Sequence, residues 1–512
     1  MSVLSIIEQG LPRDRTKVAL NSEYGSPEDY ARAIDELRAA FPAEDVSTDT
    51  AVLDAHGQLA GYTGSFPHSV VVVPRSTADV VRIVNISRAR RVPVVPYGGA
   101  TSLEGHFFGT DAKGICVDMS AMNKVLEIHE ADADLVCQPG AKWVDINATL
   151  KEKGIPLFFP LDPGLGATIG GMISTGCSGT NAVRYGTAKG EWFLNATVVL
   201  PSGEVIKTRR RSRKCSAGFD TLRLFIGAEG TLGIVTEVTL RLAPVLPTRV
   251  AVVQFPSVEH ATRASTAALN YGVNLQCIEL LDALSMRALN VFNAARGART
   301  WPERDSLFIK IQGATPVFIE ESARILRAAA EAHGGTGFEF AASEAAADEL
   351  WLARKNAMHA SFAMFPGARA FGTDVCVPVS RLPDLVTAIQ KDISAAGLAA
   401  PIIGHVGDGD PVGNLHAMII YHNEEEEKVG QSLVASMVKH ALDLDGTCTG
   451  EHGVGLGKKK FLVEELGETT VELMKYLKQC IDPLNLFNPG KVRCPGRHLR
   501  SKLTGQPQLY PD

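Results

Sequence analysis

"LDPGLGATIGGMISTGCSGT", Leu161 to Thr180, is a run of glycine and small residues set between strand-like segments. Glycine lets backbone N–H groups come close to an anion, and successive N–H groups form a nest for one. Two other stretches share that character, "PYGGATSLEGH" (Pro96–His106) and "GAEGTLGI" (Gly227–Ile234). Any one of them alone is equally an ordinary tight turn. The nucleotide signatures that glycine loops usually announce are missing. In "GLGATIGG" the third glycine falls one residue late for the dinucleotide fingerprint. "HGVGLGKK" ends like a phosphate-binding P-loop, but His452 stands where its first glycine belongs and no Ser or Thr follows Lys458. Neither nicotinamide nor P-loop nucleotide binding is supported.

Around these loops the chain reads as alternating strands and helices. "SPEDYARAIDELRAAF" is an amphipathic helix capped by Ser26. "SVVVVP" (Ser69–Pro74) is a buried strand, a helix capped by Ser76 or Thr77 follows, and "VPVVP" (Val92–Pro96) empties into the first glycine loop. Short strands and glycine turns then run to about Pro244, with "LPSGEV" as a hairpin turn. Beyond Pro247, longer helical stretches alternate with single strands, the pattern of an α+β unit. The expected organisation is an N-terminal helical segment (1–50), a cofactor domain (51–246), an α+β cap or substrate domain (247–460) and a C-terminal segment (461–512). A length of 512 residues suits several domains.

Composition narrows the function classes. A net charge of −6 argues against a general nucleic-acid binder. The one basic run, "KTRRRSRK" (Lys207–Lys214), reads as a solvated loop or, alternatively, a contact for an anionic partner. Nine cysteines without a C-x-x-C pair read as reduced thiols. No apolar stretch is long enough to span a membrane. The first twenty residues have neither a signal-peptide core nor a convincing Arg-rich amphipathic helix.

Together and in this order, the loops resemble the FAD-binding PCMH, or vanillyl-alcohol oxidase, type of flavoprotein. More narrowly they are similar to its D-lactate dehydrogenase, glycolate oxidase D-subunit and D-2-hydroxyglutarate dehydrogenase branch. "RYGT", "KCSAGFDTLRLFIGAEGTLGIVTEVTLRLAP", "EHGVGLGK" and "DPLNLFNPGKV" extend the resemblance over roughly residues 45–495. It implies an α+β protein: a two-part FAD domain, an α+β cap, and a C-terminal segment returning to the flavin. It implies that Pro96, Tyr97, Gly98, Gly99, Ala100, Thr101 and Ser102 wrap the FAD pyrophosphate. A second clasp would come from Asp162, Pro163, Gly164, Thr168, Ile169, Gly170 and Gly171, with Thr175, Ser178 and Gly179 behind it. Glu229, Gly230, Ile234 and Val235 would line the adenine and isoalloxazine side, and Asn488 would return from the C-terminus. This branch generally binds FAD non-covalently; His106 is the nearby candidate for an attachment.

A second cluster lies in "GHVGDGDPVGNLHAMII" (Gly404–Ile420) and "GTCTGEHGVG" (Gly446–Gly455). His405, His416 and Glu451 are donors that a divalent metal, zinc or manganese, prefers; each alone could equally be structural. The resemblance makes them a metal site at the flavin face, with His452 as general base and Arg354 of "LWLARK", rather than Lys355, as the clamp on a substrate carboxylate. The family pattern H-V-G-D-G-N-x-H is four residues shorter than the stretch here, as though "DPVG" were interposed. A bulge in the turn would leave both flanking strands in place. "DGD" fails as a calcium loop, because Val412 occupies the next ligand position and no glutamate closes it.

The implied activity is FAD- and metal-dependent oxidation of a D-2-hydroxy acid, D-lactate first, with cytochrome c as an acceptor. The alternatives are the same chemistry on D-2-hydroxyglutarate, and a flavin-binding homologue impaired by the interposed residues. A metal hydrolase would leave the glycine loops without purpose. Family habit suggests the mitochondrion, with the cytoplasm as alternative.

Overall fold

The computed structural model describes residues 23–59, 65–407 and 412–492. The first twenty residues and two residues of the interposed segment, Asp410 and Pro411, lie outside this set. Among the described residues there are three large β-sheets and a two-stranded pair of Leu157–Phe158 with Ala243–Pro244.

The first sheet orders Val46–Ser47, Val70–Val72, Ile115–Asp118 and Val94–Tyr97, the last three parallel. Parallel strands need both faces covered, and the apolar run 70–72 is buried throughout. The helices Pro27–Ala40 and Thr77–Arg90 are capped by Ser26 and Ser76 as their sequences predict, each side chain accepting a backbone N–H in the first turn. Five antiparallel strands form the second sheet: Val125–His129, Asp134–Cys137, Ile234–Arg241, Phe193–Val199 and Val205–Lys207. The hairpin at "LPSGEV" pairs Val199 with Val205. The C-terminal segment does come back: Phe487 bridges to Val94, and the Asn488 amide donates to the Val94 carbonyl at 2.8 Å.

The third sheet has eight strands, ordered Thr336–Phe340, Thr248–Gln254, Ser306–Gln312, Leu275–Leu281, Ile402–Val406, Val412–Tyr421 and Arg369–Gly372, with Val375–Pro378 also on the 412–421 strand. Its pairings are antiparallel. Helices cover both faces, so the central strands alternate between two cores. Leu307, Ile309 and Ile311 pack with the helices 258–270, 316–332, 382–396 and 424–443. Phe308, Cys277, Leu281 and Ile403 face the helices 283–294, 344–355 and 357–364. The period-2 alternation therefore assigns Glu279 and His405 to the second face.

Among the described residues no helix is long and apolar enough to cross a membrane, and the eight described cysteines are free thiols. The strand bearing Glu279 ends at Asp282, which caps the helix Ala283–Ala294 by accepting the Ser285 amide at 2.8 Å. Burial pushes this carboxyl up to about 6, against its hydrogen bonds to Ser285 and the Ile402 backbone. A carboxyl raised this way costs stability fully above its folded pKa and not at all below its unfolded one. Asp282→Asn, which keeps the cap acceptor, should therefore stabilise the protein at pH 8, by up to about 3 kcal/mol. In denaturant melts the gain should fade as pH falls from about 6 towards 4. A gain that grows in acid would contradict the burial argument.

Candidate active site

A cavity of about 680 Å³ opens between the first two sheets and the third. Its wall contains every cofactor-contact residue expected from the sequence except Ile169 and Ser178, and it also contains His405, His416, Glu451, His452 and Arg354. Ile169 is fully buried in the core of the second sheet. Ser178 is absent from the wall, and its hydroxyl donates to Glu451 Oε2 at 2.6 Å.

The two glycine loops lie back to back. A Cβ on Gly99 would stand 2.1 Å from the Gly166 carbonyl oxygen, and one on Gly98 would stand 2.6 Å from Thr168 Oγ1. Gly164 is different. It lines the cavity, and a Cβ there would meet no protein atom within 4 Å. So some glycines let the loops touch each other, and Gly164 leaves room on the cavity side, as a cradle for a bulky cofactor must. Asp162 contributes backbone to this wall, while its carboxylate is committed to Thr180 Oγ1 and the Asn181 amide. Glu229 likewise spends its carboxylate on the amides of Val454 and Gly455, at 2.7 and 2.9 Å. His106 faces that same carboxylate at 3.2 Å. Asn488 donates to the carbonyls of His106 and Glu229.

The histidine pair follows from strand register. Ile403 is opposite His416 and His405 opposite Asn414, so both imidazoles share one face of adjacent strands. Pairing continues to Val406 and Gly413, so two of the four interposed residues, Val412 and Gly413, extend the strand that carries His416. His405 Nδ1 lies 2.8 Å from Glu279 Oε2, and His416 Nδ1 lies 2.9 Å from the Thr373 carbonyl. Both partners only accept, so each Nδ1 carries a proton, which leaves each Nε2 to bear a proton toward Glu451 or a lone pair toward a cation. The two Nε2 atoms converge on Glu451 Oε1, at 3.2 and 3.3 Å, and all three donors lie within 4.8 Å of one another. Two imidazole lone pairs and a carboxylate suit a divalent cation. Burial would raise the Glu451 carboxyl, but the charge and Nε2–H bonds that protonated His405 and His416 offer it outweigh burial and hold it well below the usual range.

Sequence reasoning missed two acids. Asp374 is fully buried; its Oδ2 accepts from Thr449 Oγ1 and the amides of Glu451 and His452, and its Oδ1 from Asn414. It fixes the loop that delivers Glu451 and His452. Glu279 pairs with His405 and with Arg354 Nη2. The signal for Glu279 was legible: one charge inside the otherwise buried strand "LQCIELL", a place that needs a partner. His452 stacks on His416 with centroids 4.9 Å apart. Burial lowers its imidazole to about 4 against the opposing Asp374 carboxylate, and its Nδ1 is buried without a hydrogen-bond partner.

Residues 67–209 match the FAD binding domain family, and residues 247–492 match the C-terminal domain of FAD linked oxidases. The chain is 44% identical to the mitochondrial D-lactate dehydrogenase [cytochrome] of Arabidopsis thaliana, over 83% of this chain and 73% of that protein. It is 40% identical to the probable mitochondrial D-lactate dehydrogenase of Danio rerio, over 90% and 91% of the two chains. The 4-ethylphenol oxidase from Gulosibacter chungangensis superposes with a TM-score of 0.77 at 18% identity, covering 94% of this chain and all of that one; at that identity it speaks for the fold alone.

If the loops abut as described, Gly99→Ala forces them apart, while Gly164→Ala strains nothing in the protein. The ratio of flavin to protein absorbance should fall severalfold in Gly99→Ala, with a lower melting temperature. Gly164→Ala should keep the parent's melting temperature in the flavin-free protein. Full flavin and an unchanged melt in Gly99→Ala would refute this packing.

Proposed function

Because this chain belongs to the FAD-linked oxidases and is an FAD-dependent oxidoreductase, we propose that it oxidises a D-2-hydroxy acid, D-lactate first, to the 2-oxo acid. The electrons pass on to a cytochrome c-type acceptor, and the compartment is the mitochondrion, as in the names its relatives bear. The observation that carries the proposal is the convergence of His405 Nε2, His416 Nε2 and Glu451 on the cavity wall that also holds Arg354 and His452.

The oxidation removes a proton from the hydroxyl and a hydride from the carbon bearing it. FAD, held non-covalently along residues 96–102, 162–164, 168, 170–171, 175, 179, 229–230, 234–235 and 488, would supply the two-electron acceptor. His405, His416 and Glu451 would hold a divalent cation, zinc or manganese, which supplies Lewis acidity toward the substrate hydroxyl. Arg354 anchors the carboxylate; its Nε is buried and has no hydrogen-bond partner in the protein. His452, neutral and with Nδ1 free, takes the hydroxyl proton. Ser178 and Asp374 orient Glu451 and its loop. A monocarboxylate is favoured over D-2-hydroxyglutarate, because among the described residues the only other Lys or Arg on the wall, Lys355, lies 3.7 Å from Asp162.

Anaerobic titration of the purified yellow protein with D-lactate should bleach the flavin band, with about one metal per flavin in the same sample. L-Lactate should leave the band intact. His416→Ala should keep its flavin, lose the metal and lose turnover by two or more orders of magnitude. Bleaching by D-2-hydroxyglutarate alone would change the substrate, and an unbleached, metal-free flavin would overturn the reading.

A further inference from the structure

Glu279 lies 1% exposed in the middle of the strand Leu275–Leu281, yet the reaction just described requires no acid there. Sheet register sets it directly opposite His405. Its carboxylate accepts from His405 Nδ1, at 3.0 Å to Oε1 and 2.8 Å to Oε2. The same Oε2 also accepts from Arg354 Nη2. Arg354 comes from the last turn of the helix Glu344–Lys355, which covers this face of the sheet. One carboxylate thus joins a side chain from the neighbouring strand to one from the overlying helix.

We propose that Glu279 is a positioning residue that holds a metal-ligand histidine and the substrate-anchoring arginine with one carboxylate, so that metal affinity and substrate affinity depend on the same group. The inference rests on the reading under Proposed function. Three physical arguments carry it. Toward His405, an acceptor at Nδ1 fixes the tautomer and the ring plane, which directs the Nε2 lone pair to the site shared with His416 and Glu451. Toward Arg354, the pairing neutralises a guanidinium only 6% exposed and fixes its plane. Nε is left buried and unpartnered on a side chain that reaches the cavity wall, free to meet a ligand oxygen. Finally, a purely structural role would not call for ions here. Glu279, Arg354 and His405 are all buried, on the face that also carries Cys277, Leu281 and Ile403, where an apolar set would pack without desolvating charge.

Glu279→Gln removes the charge that both duties use. Oε2 accepts from His405 Nδ1 and from Arg354 Nη2 alike, so an amide with its oxygen there still meets both donors, but leaves the guanidinium without a counter-charge and sets its N–H₂ where Oε1 lies 3.0 Å from His405 Nδ1, donor against donor; turned over, the N–H₂ opposes Arg354 Nη2 and His405 Nδ1 together. The test uses the flavin-loaded protein stripped of metal by chelation. Zinc affinity is read by competition with a chromogenic chelator, and KM and kcat for D-lactate are read after reloading. With flavin content at the parent's level, Glu279→Gln should bind zinc about 10- to 100-fold more weakly and raise KM about tenfold or more, with a smaller change in kcat. Glu279→Asp, which keeps the charge one methylene back, should recover part of the zinc affinity. Parent-like zinc affinity and KM in Glu279→Gln would overturn the proposal. If neither variant retains flavin, Glu279 is a folding residue and the proposal falls. If the parent itself binds no zinc and is not bleached by D-lactate, the functional reading is what fails, whatever the variants do.

Discussion

A buried carboxylate stays ionised only where protein groups replace the water it has lost, and this constraint organises the centre of the molecule. Glu279 is answered by His405 and Arg354, Asp374 by three donors of the Thr449–His452 loop and by Asn414, and Glu229 by the amides of Val454 and Gly455. Each acid belongs to a different element. Together they fix the helix bearing Arg354 and the loop bearing Glu451 and His452 to the two histidine strands.

The loop from Thr449 to Gly457 has no regular secondary structure of its own. Asp374, from the third sheet, holds one part of it, and Glu229, from the glycine loop ahead of the Ile234–Arg241 strand, holds the next. The Leu456 amide adds a bond to the Glu104 carbonyl. A loop tied at both ends to different sheets can present Glu451 and His452 at a fixed height over the cavity. Preorganisation of that kind matters to an oxidation in which a proton and a hydride leave adjacent atoms. The glycine loops supply the opposite quality. Beyond the Glu229 carboxylate and the Ser178 hydroxyl, they bring backbone that can approach its neighbours closely: Gly99 against Gly166, Gly230 against Pro96.

Much of this was legible in the chain. Helix caps at Ser26 and Ser76 and the hairpin at "LPSGEV" follow from local chemistry, the return of the C-terminal segment was implied by the family resemblance, and the structure has them. The cofactor wall was legible because its contacts are consecutive backbone residues, whose positions a motif records directly. Ser178 and Ile169 show the limit of that record. They fall inside the motif, yet one hydroxyl is spent on Glu451 and one side chain is buried in the core. Asp162 and Glu229 are on the wall, but their carboxylates bind protein. A motif gives position along the chain, and it does not give the direction of a side chain.

By itself, then, the sequence determined the class of fold and the order of the glycine loops, and its resemblance to the family pointed to His405, His416, Glu451, His452 and Arg354 as a candidate set. Tertiary structure alone decided which atoms of that set face one another. The antiparallel register of the 402–406 and 412–421 strands sets both imidazoles on one face. The register of the Leu275–Leu281 strand, more than a hundred residues away in sequence, adds Glu279 beside them. Long-range pairing of that sort is fixed by the burial of whole sheet faces, and no local window of the chain contains it.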